Sequence, residues 1–287
     1  MLTTSADLFG RGYSDAPNDL TYDTRLFVTQ ILLVLASSEI PWTAAPAFHL
    51  VGYSLGGGLS VAFTRYFPHL VRSLALVAPC GLIRRHHVGW RSWLYYNSGL
   101  LPEFLVRVLV KRRIRPNAKP VSAAGGSDIV AAESENTVNG DGDANGGGGF
   151  DSAAISKTRP HVTVSSVVAW QIDNHKGFVT AFLSTIRNAP IYAPQEDWQA
   201  LSAILEAKRP GNGTDASDTK SKTGLAGGKV LIVLGEDDGV IVLDETIEDA
   251  RGVLGGDGVD LVILPGGHEL PITRSADVAA SIEGFWK

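Results

Sequence analysis

Apolar residues recur at helical spacing over residues 21–38, and Phe48 to Tyr53 then forms a short β-rich run. Beyond the glycines at 56–58, residues 59–67 read as a helix that stops before Pro68, and Ser73 to Ala78 as a buried strand. The same alternation returns late in the chain. Lys229 to Leu234 and Asp260 to Leu264 are mostly apolar runs of strand length, separated by a helix near 244–254 and followed by a last one near 275–286. Short, nearly unbroken apolar runs fit strands covered on both faces. Strands alternating with helices are the signature of βαβ units and a largely parallel sheet, so the fold class is α/β.

From about residue 82 the pattern changes. Residues 89–116 are amphipathic, aromatic and basic, and read as helical rather than as strand. Residues 117–158 are dominated by Gly, Ala, Ser, Asn and Asp, which cannot bury enough apolar surface to offset their ordering entropy, and are expected to be a disordered insertion. Helical patterning resumes at 163–187 and 195–207, before a tract at 208–228 with the composition of a flexible linker. The chain therefore divides into a first core part (1–81), a helical insertion with its two polar tracts (82–228) and a second core part (229–287).

With 287 residues, 44% hydrophobic and 19% charged, the chain can form a core without disulfides or metal. A net charge of −5 argues against nucleic acid as a partner and for a small molecule. The single cysteine, Cys80, suits a reducing compartment, and zinc-ligand spacings are absent, so neither metal nor cofactor is expected. Residues 1–7 carry no basic or apolar leader pattern, and no apolar run approaches the roughly 18 residues of a membrane span. A soluble, cytoplasmic protein is the expectation.

The chemistry gathers around Ser54. In Gly52-Tyr53-Ser54-Leu55-Gly56 a serine stands between a β-rich run and a helix of small residues, the setting of a nucleophile elbow. A serine hydroxyl needs a base to take its proton and donors for the oxyanion that forms on attack. The turn offers the backbone N–H of Leu55 as such a donor. Of seven histidines, His268 alone follows a strand run through a glycine-rich loop, where parallel sheets place their sites. The orienting carboxylate lies among Glu236, Asp237 and Asp238, immediately beyond another strand run.

These residues resemble the α/β-hydrolase superfamily, in its esterase/lipase-like branch with a helical cap. The resemblance rests on Asp7-Leu8-Phe9-Gly10-Arg11-Gly12-Tyr13-Ser14, similar to a D-x-x-G-x-G-x-S segment, and on the elbow. It rests also on Ala78-Pro79-Cys80-Gly81, on Gly235-x-x-Asp238 and on Gly267-His268. It implies the α/β-hydrolase fold and a triad of Ser54, Asp238 and His268, with Asp238 selected by its distance from the strand-end glycine. Members of that family carry further strands and a His-Gly loop before the first segment, whereas six residues precede Asp7 here. The resemblance therefore implies a truncated chain, a sheet split or left with an exposed edge, and one oxyanion donor fewer.

An aromatic wall of Trp90, Trp93, Tyr95, Tyr96 and Phe104, with Trp170 and Phe178 from the second half of the insertion, suggests an apolar pocket. Tyr53, Trp170, His175 and Phe178 are its candidate lining residues. Such a pocket favours a carboxylic ester with an apolar or lipid-like acyl group as the substrate. Two alternatives stay open: a catalytically impaired ligand-binding protein, and a thioesterase, lyase or acyltransferase on the same triad. The basic helix end Lys111 to Arg113 admits contact with a membrane surface. Oligomeric state is not legible.

Overall fold

A computed structural model describes residues 4–42, 48–88, 93–94, 96, 99–115, 151–193, 195–209 and 225–287. Four strands, β1 (Phe48–Tyr53), β2 (Val71–Val77), β3 (Val230–Gly235) and β4 (Val259–Leu264), form one sheet in the order β1-β2-β3-β4. Every neighbouring pair is parallel, with Gly52 opposite Leu76 and Ile232 opposite Leu261. Among the described residues β1 pairs on one side only, and Val51 on that edge is 45% exposed.

The helices are α1 (Thr24–Ser37), α2 (Leu55–Tyr66), α3 (Glu103–Ile114), α4 (Val164–Asn174), α5 (Phe178–Asn188), α6 (Gln195–Glu206), α7 (Leu243–Leu254) and α8 (Ser275–Phe285). The twofold alternation of a strand decides which of them each residue meets. Leu74 and Leu76 of β2, with Val230, Ile232 and Leu234 of β3, share a core with α2, α6 and α7. Ala75, Val77, Leu231 and Val233 point the other way and meet Val278 and Ile282 of α8. Both faces being covered, β3 and the second half of β2 (Leu74 to Val77) carry no polar positions, which is why they read as continuous apolar runs, and polar Arg72 and Ser73 stand only at the entry to β2.

The expected amphipathic helix of 89–116 is interrupted: Trp93, Leu94 and Tyr96 are helical, and α3 starts afresh at Glu103 behind Pro102. A proline has no N–H to donate and its ring restricts the residue before it, so a helix starts more easily after it than through it. The continuous helix expected at 163–187 is two, because Gly177 adopts φ 93° between α4 and α5. Val106, Val110 and Ile114 of α3 pack with Ile172, Phe178 and Leu183 in a core of their own between β2 and β3 in the chain.

Part of each polar tract is built into the fold. Residues 117–150 and 210–224, like Trp90 and Tyr95, lie outside the described residues. At 151–158, however, Ala153 is buried and Ala154 bridges Thr163, while Leu225 is wholly buried with its N–H donated to Val71 O at 2.8 Å. Among the described residues no helix is long and apolar enough to cross a membrane.

Candidate active site

Ser54 occupies the tight corner between β1 and α2, with φ 52° and ψ −120°. A side chain in that region costs on the order of 1–3 kcal/mol, strain that the surroundings must hold in place. They do so with backbone bonds: Ser54 N–H donates to Val77 O at 3.0 Å, and Ser54 O accepts from Gly57 N at 2.9 Å and Cys80 N at 2.9 Å. The glycines differ in what they do. A Cβ on Gly52 would lie 2.5 Å from Ser60 Oγ and collide with Gly56 O, and one on Gly57 would lie 2.5 Å from Pro79 Cβ. Gly56, grouped with them on the pattern alone, has open space at that position.

The loops after β3 and β4, both late in the chain, bring two groups to the serine. His268 Nε2 lies 2.9 Å from Ser54 Oγ, and His268 Nδ1 lies 2.9 Å from Asp238 Oδ2. With Nδ1 protonated, the imidazole donates to the carboxylate and leaves Nε2 to accept from the serine hydroxyl. Asp238 is itself held, since its Oδ1 accepts from the N–H groups of Val240 and Ile241, each at 2.8 Å. His268 and Asp238 are both buried, with side chains 5% and 1% exposed, so this chain of hydrogen bonds is shielded from water. Leu55 opens α2, where the first N–H groups have no acceptor within the helix and the helix dipole is positive. Asp237 and Glu236, left open by the sequence, are tied through their backbone N–H groups to Gly266 O and Leu264 O.

Tyr53 turns out to touch His268 rather than the cavity. Its hydroxyl donates to the backbone carbonyl of His268 at 2.7 Å, and burial raises its pKa, so it stays a donor. The Cys80 thiol, 3.8 Å from Ser54 Oγ, is pushed up to about 12 by burial and remains neutral.

A cavity of about 180 Å³ opens beside Ser54 and His268, walled by Ile83, Phe182, Ile186, Ile191 and Tyr192 and entered also by Arg11. None of the four expected lining residues borders it. Trp170 is 45% exposed against Tyr13, and His175 Nε2 bonds Ser14 O at 2.8 Å. Phe178 lies in the core beside Phe182, under the Arg11 guanidinium. Position along α5 explains the exchange: Phe182, Thr185 and Ile186, one and two turns beyond Phe178, reach the cavity instead.

The sequence matches the family described as alpha/beta hydrolase fold over residues 3–275. It is 34% identical over 76 residues to a 2-hydroxy-6-oxo-2,4-heptadienoate hydrolase of Pseudomonas putida, covering 26% of each chain. It is 36% identical over 76 residues to a 2-hydroxymuconate semialdehyde hydrolase of a Pseudomonas strain, covering 26% of this chain and 25% of that one. The matched stretch thus spans about a quarter of the length of these curated relatives. Among solved structures, a meta-cleavage product hydrolase from Pseudomonas fluorescens superposes with TM-score 0.52 at 16% identity, over 97% of this chain and 77% of that one. A lipase-like structure from Acinetobacter baumannii gives 0.52 at 17%, over 98% and 73%. These last two likenesses are of fold.

Proposed function

The chain belongs to the alpha/beta hydrolase fold family, and from that premise we propose that it is a serine hydrolase acting on a small carbonyl compound, with a carboxylic ester as the leading substrate. The observation that carries this reading is the line of two 2.9 Å contacts from Ser54 through His268 to Asp238. Ser54 Oγ attacks the carbonyl carbon while His268 Nε2 takes its proton. Asp238 stabilises the imidazolium, and the Leu55 N–H faces the developing oxyanion. Nε2 returns the proton to the departing alcohol, and a water activated by the same imidazole releases the acid from Ser54. The helices between β2 and β3 serve as a cap, and its apolar wall at Phe182, Ile186 and Ile191 accommodates an apolar part of the substrate.

A second reading keeps the nucleophile and changes the bond. The compound in the name of the Pseudomonas putida relative contains a ketone and a carboxylate but no ester, so its hydrolysis breaks a carbon–carbon bond beside the ketone. A panel of p-nitrophenyl esters run beside a 2-hydroxy-6-oxo-dienoate separates the two. Ester turnover that falls by about 10⁴-fold or more in Ser54→Ala supports the first. Turnover of the dienoate alone selects the second, and equal activity of Ser54→Ala on every substrate defeats both.

A further inference from the structure

Arg11 enters the same cavity as Ser54 and His268 and is set there by an unusually well-tied loop. Phe9 N–H donates to Gln30 Oε1 of α1 at 2.9 Å, and Gly12 N–H to Gln171 Oε1 of α4 at 2.7 Å. Gly10 N–H donates to Asp15 O at 2.8 Å, and Gly10 itself has φ 76° with no room for a Cβ against Ala181 of α5. Three helices therefore fix the backbone on both sides of this one side chain.

The guanidinium has little to hold. Its carbon stands 5.2 Å from the ring centre of Phe178 and 5.6 Å from that of Phe182, and Nη1 donates to the neighbouring Gly10 O at 3.1 Å. Among the described residues no carboxylate lies within ion-pair distance of it. The two imidazoles bordering the cavity differ in this: His268 has Asp238 and His87 has Glu245. Burial lowers the Arg11 pKa to about 10, which leaves it charged at neutral pH. A partly buried cation without an anion carries a desolvation cost that structures ordinarily offset by pairing. Ring faces recover only part of that, and among the described residues four of the five guanidinium N–H donors carry no hydrogen bond.

We infer that Arg11 is the substrate-anion site: the acyl part of the substrate carries a carboxylate, held by Arg11, while its carbonyl lies at Ser54. The inference rests on the reading of Ser54 as nucleophile. It changes the expected substrate from an apolar ester to one that is apolar in the middle and anionic at the far end. The flat, multi-donor guanidinium suits a carboxylate, which it grips with two parallel bonds.

The test compares esters that differ in one terminal group, the mono-p-nitrophenyl esters of succinate, glutarate and adipate against p-nitrophenyl butyrate, valerate and hexanoate. The readout is the ratio of kcat/KM for the anionic and neutral member of each pair, which cancels any loss of folded enzyme. In the native chain at least one pair favours the anion by tenfold or more. Arg11→Met, which keeps the bulk over the two rings, lowers that ratio at least tenfold, and Arg11→Lys retains part of it. A native ratio near one, or a ratio that Arg11→Met leaves unchanged, overturns the inference. If no ester is turned over and a fluorophosphonate does not label Ser54, the hydrolase reading fails on its own. Arg11 is then judged by glutarate: thermal stabilisation lost in Arg11→Met upholds the anion site, and equal stabilisation in both chains overturns it.

Discussion

The hydroxyl of Tyr53 donates to the backbone carbonyl of His268 at 2.7 Å, so the residue immediately before Ser54 also holds the loop that carries the imidazole facing it. The end of β1 and the loop after β4, on opposite edges of the sheet, are thereby tied across the strands between them. Tyr53→Phe removes one buried hydrogen bond and leaves the ring. The expected cost is about 1 kcal/mol of stability and a several-fold fall in kcat with little change in KM. Steady-state kinetics on one ester checks it. A change in KM alone would place Tyr53 in the pocket instead.

Strain at Ser54 separates stability from activity. Because φ is 52°, replacing the serine by alanine keeps the crowded Cβ, whereas glycine relieves it. Ser54→Gly should therefore be more stable than Ser54→Ala, by an amount on the order of 1 kcal/mol, although both lose the hydroxyl. Thermal denaturation of the two variants side by side gives the answer.

The glycines around the elbow are predicted to be unequal. Gly56→Ala meets no atom within 4 Å and should be neutral, or stabilising by up to about 1 kcal/mol through helix propensity. Gly52→Ala drives its Cβ against Ser60 and the backbone of Gly56, and should cost on the order of 1–3 kcal/mol together with most of the activity. Denaturant midpoints for both decide it.

Cys80 stands close to the serine but should be chemically silent. With burial pushing its thiol up to about 12, the thiolate fraction at pH 8 is on the order of 10⁻⁴, against roughly a quarter for an ordinary thiol. Alkylation by iodoacetamide at pH 8 should run at least a hundredfold slower than for a free thiol, and should accelerate only as the pH climbs toward the raised value. Rapid labelling of the folded chain at pH 8 would contradict this.

The sheet was legible from sequence because burial on both faces removes polar residues from β3 and from β2 beyond Ser73, leaving unambiguous runs. Ser54, Asp238 and His268 were legible because each stands just past a strand, and the ends of parallel strands converge in space whatever lies between them in the chain. The cavity lining was not. Whether Phe178 or Phe182 reaches the substrate depends on how α5 rolls against α3 and α4, a packing angle that an aromatic count does not contain. Gln171 and His175 look like ordinary helix residues until Gly12 and Ser14, some 160 positions away, are seen to bond them. Leu225 was hidden by averaging, since one apolar anchor vanishes in the composition of a polar tract. Arg11 sat inside the quoted Gly-x-Gly segment and was read as part of a pattern. Its signal was a charge flanked by two glycines in a loop placed near the nucleophile by the family resemblance.

Whether Ser54 is the nucleophile is answered by fluorophosphonate labelling followed by peptide mass spectrometry. One adduct is expected, on Ser54, absent in Ser54→Ala and slowed at least about a hundredfold in His268→Gln and Asp238→Asn. An adduct on any other residue, or full ester turnover by a chain whose Ser54 stays unlabelled, would contradict it.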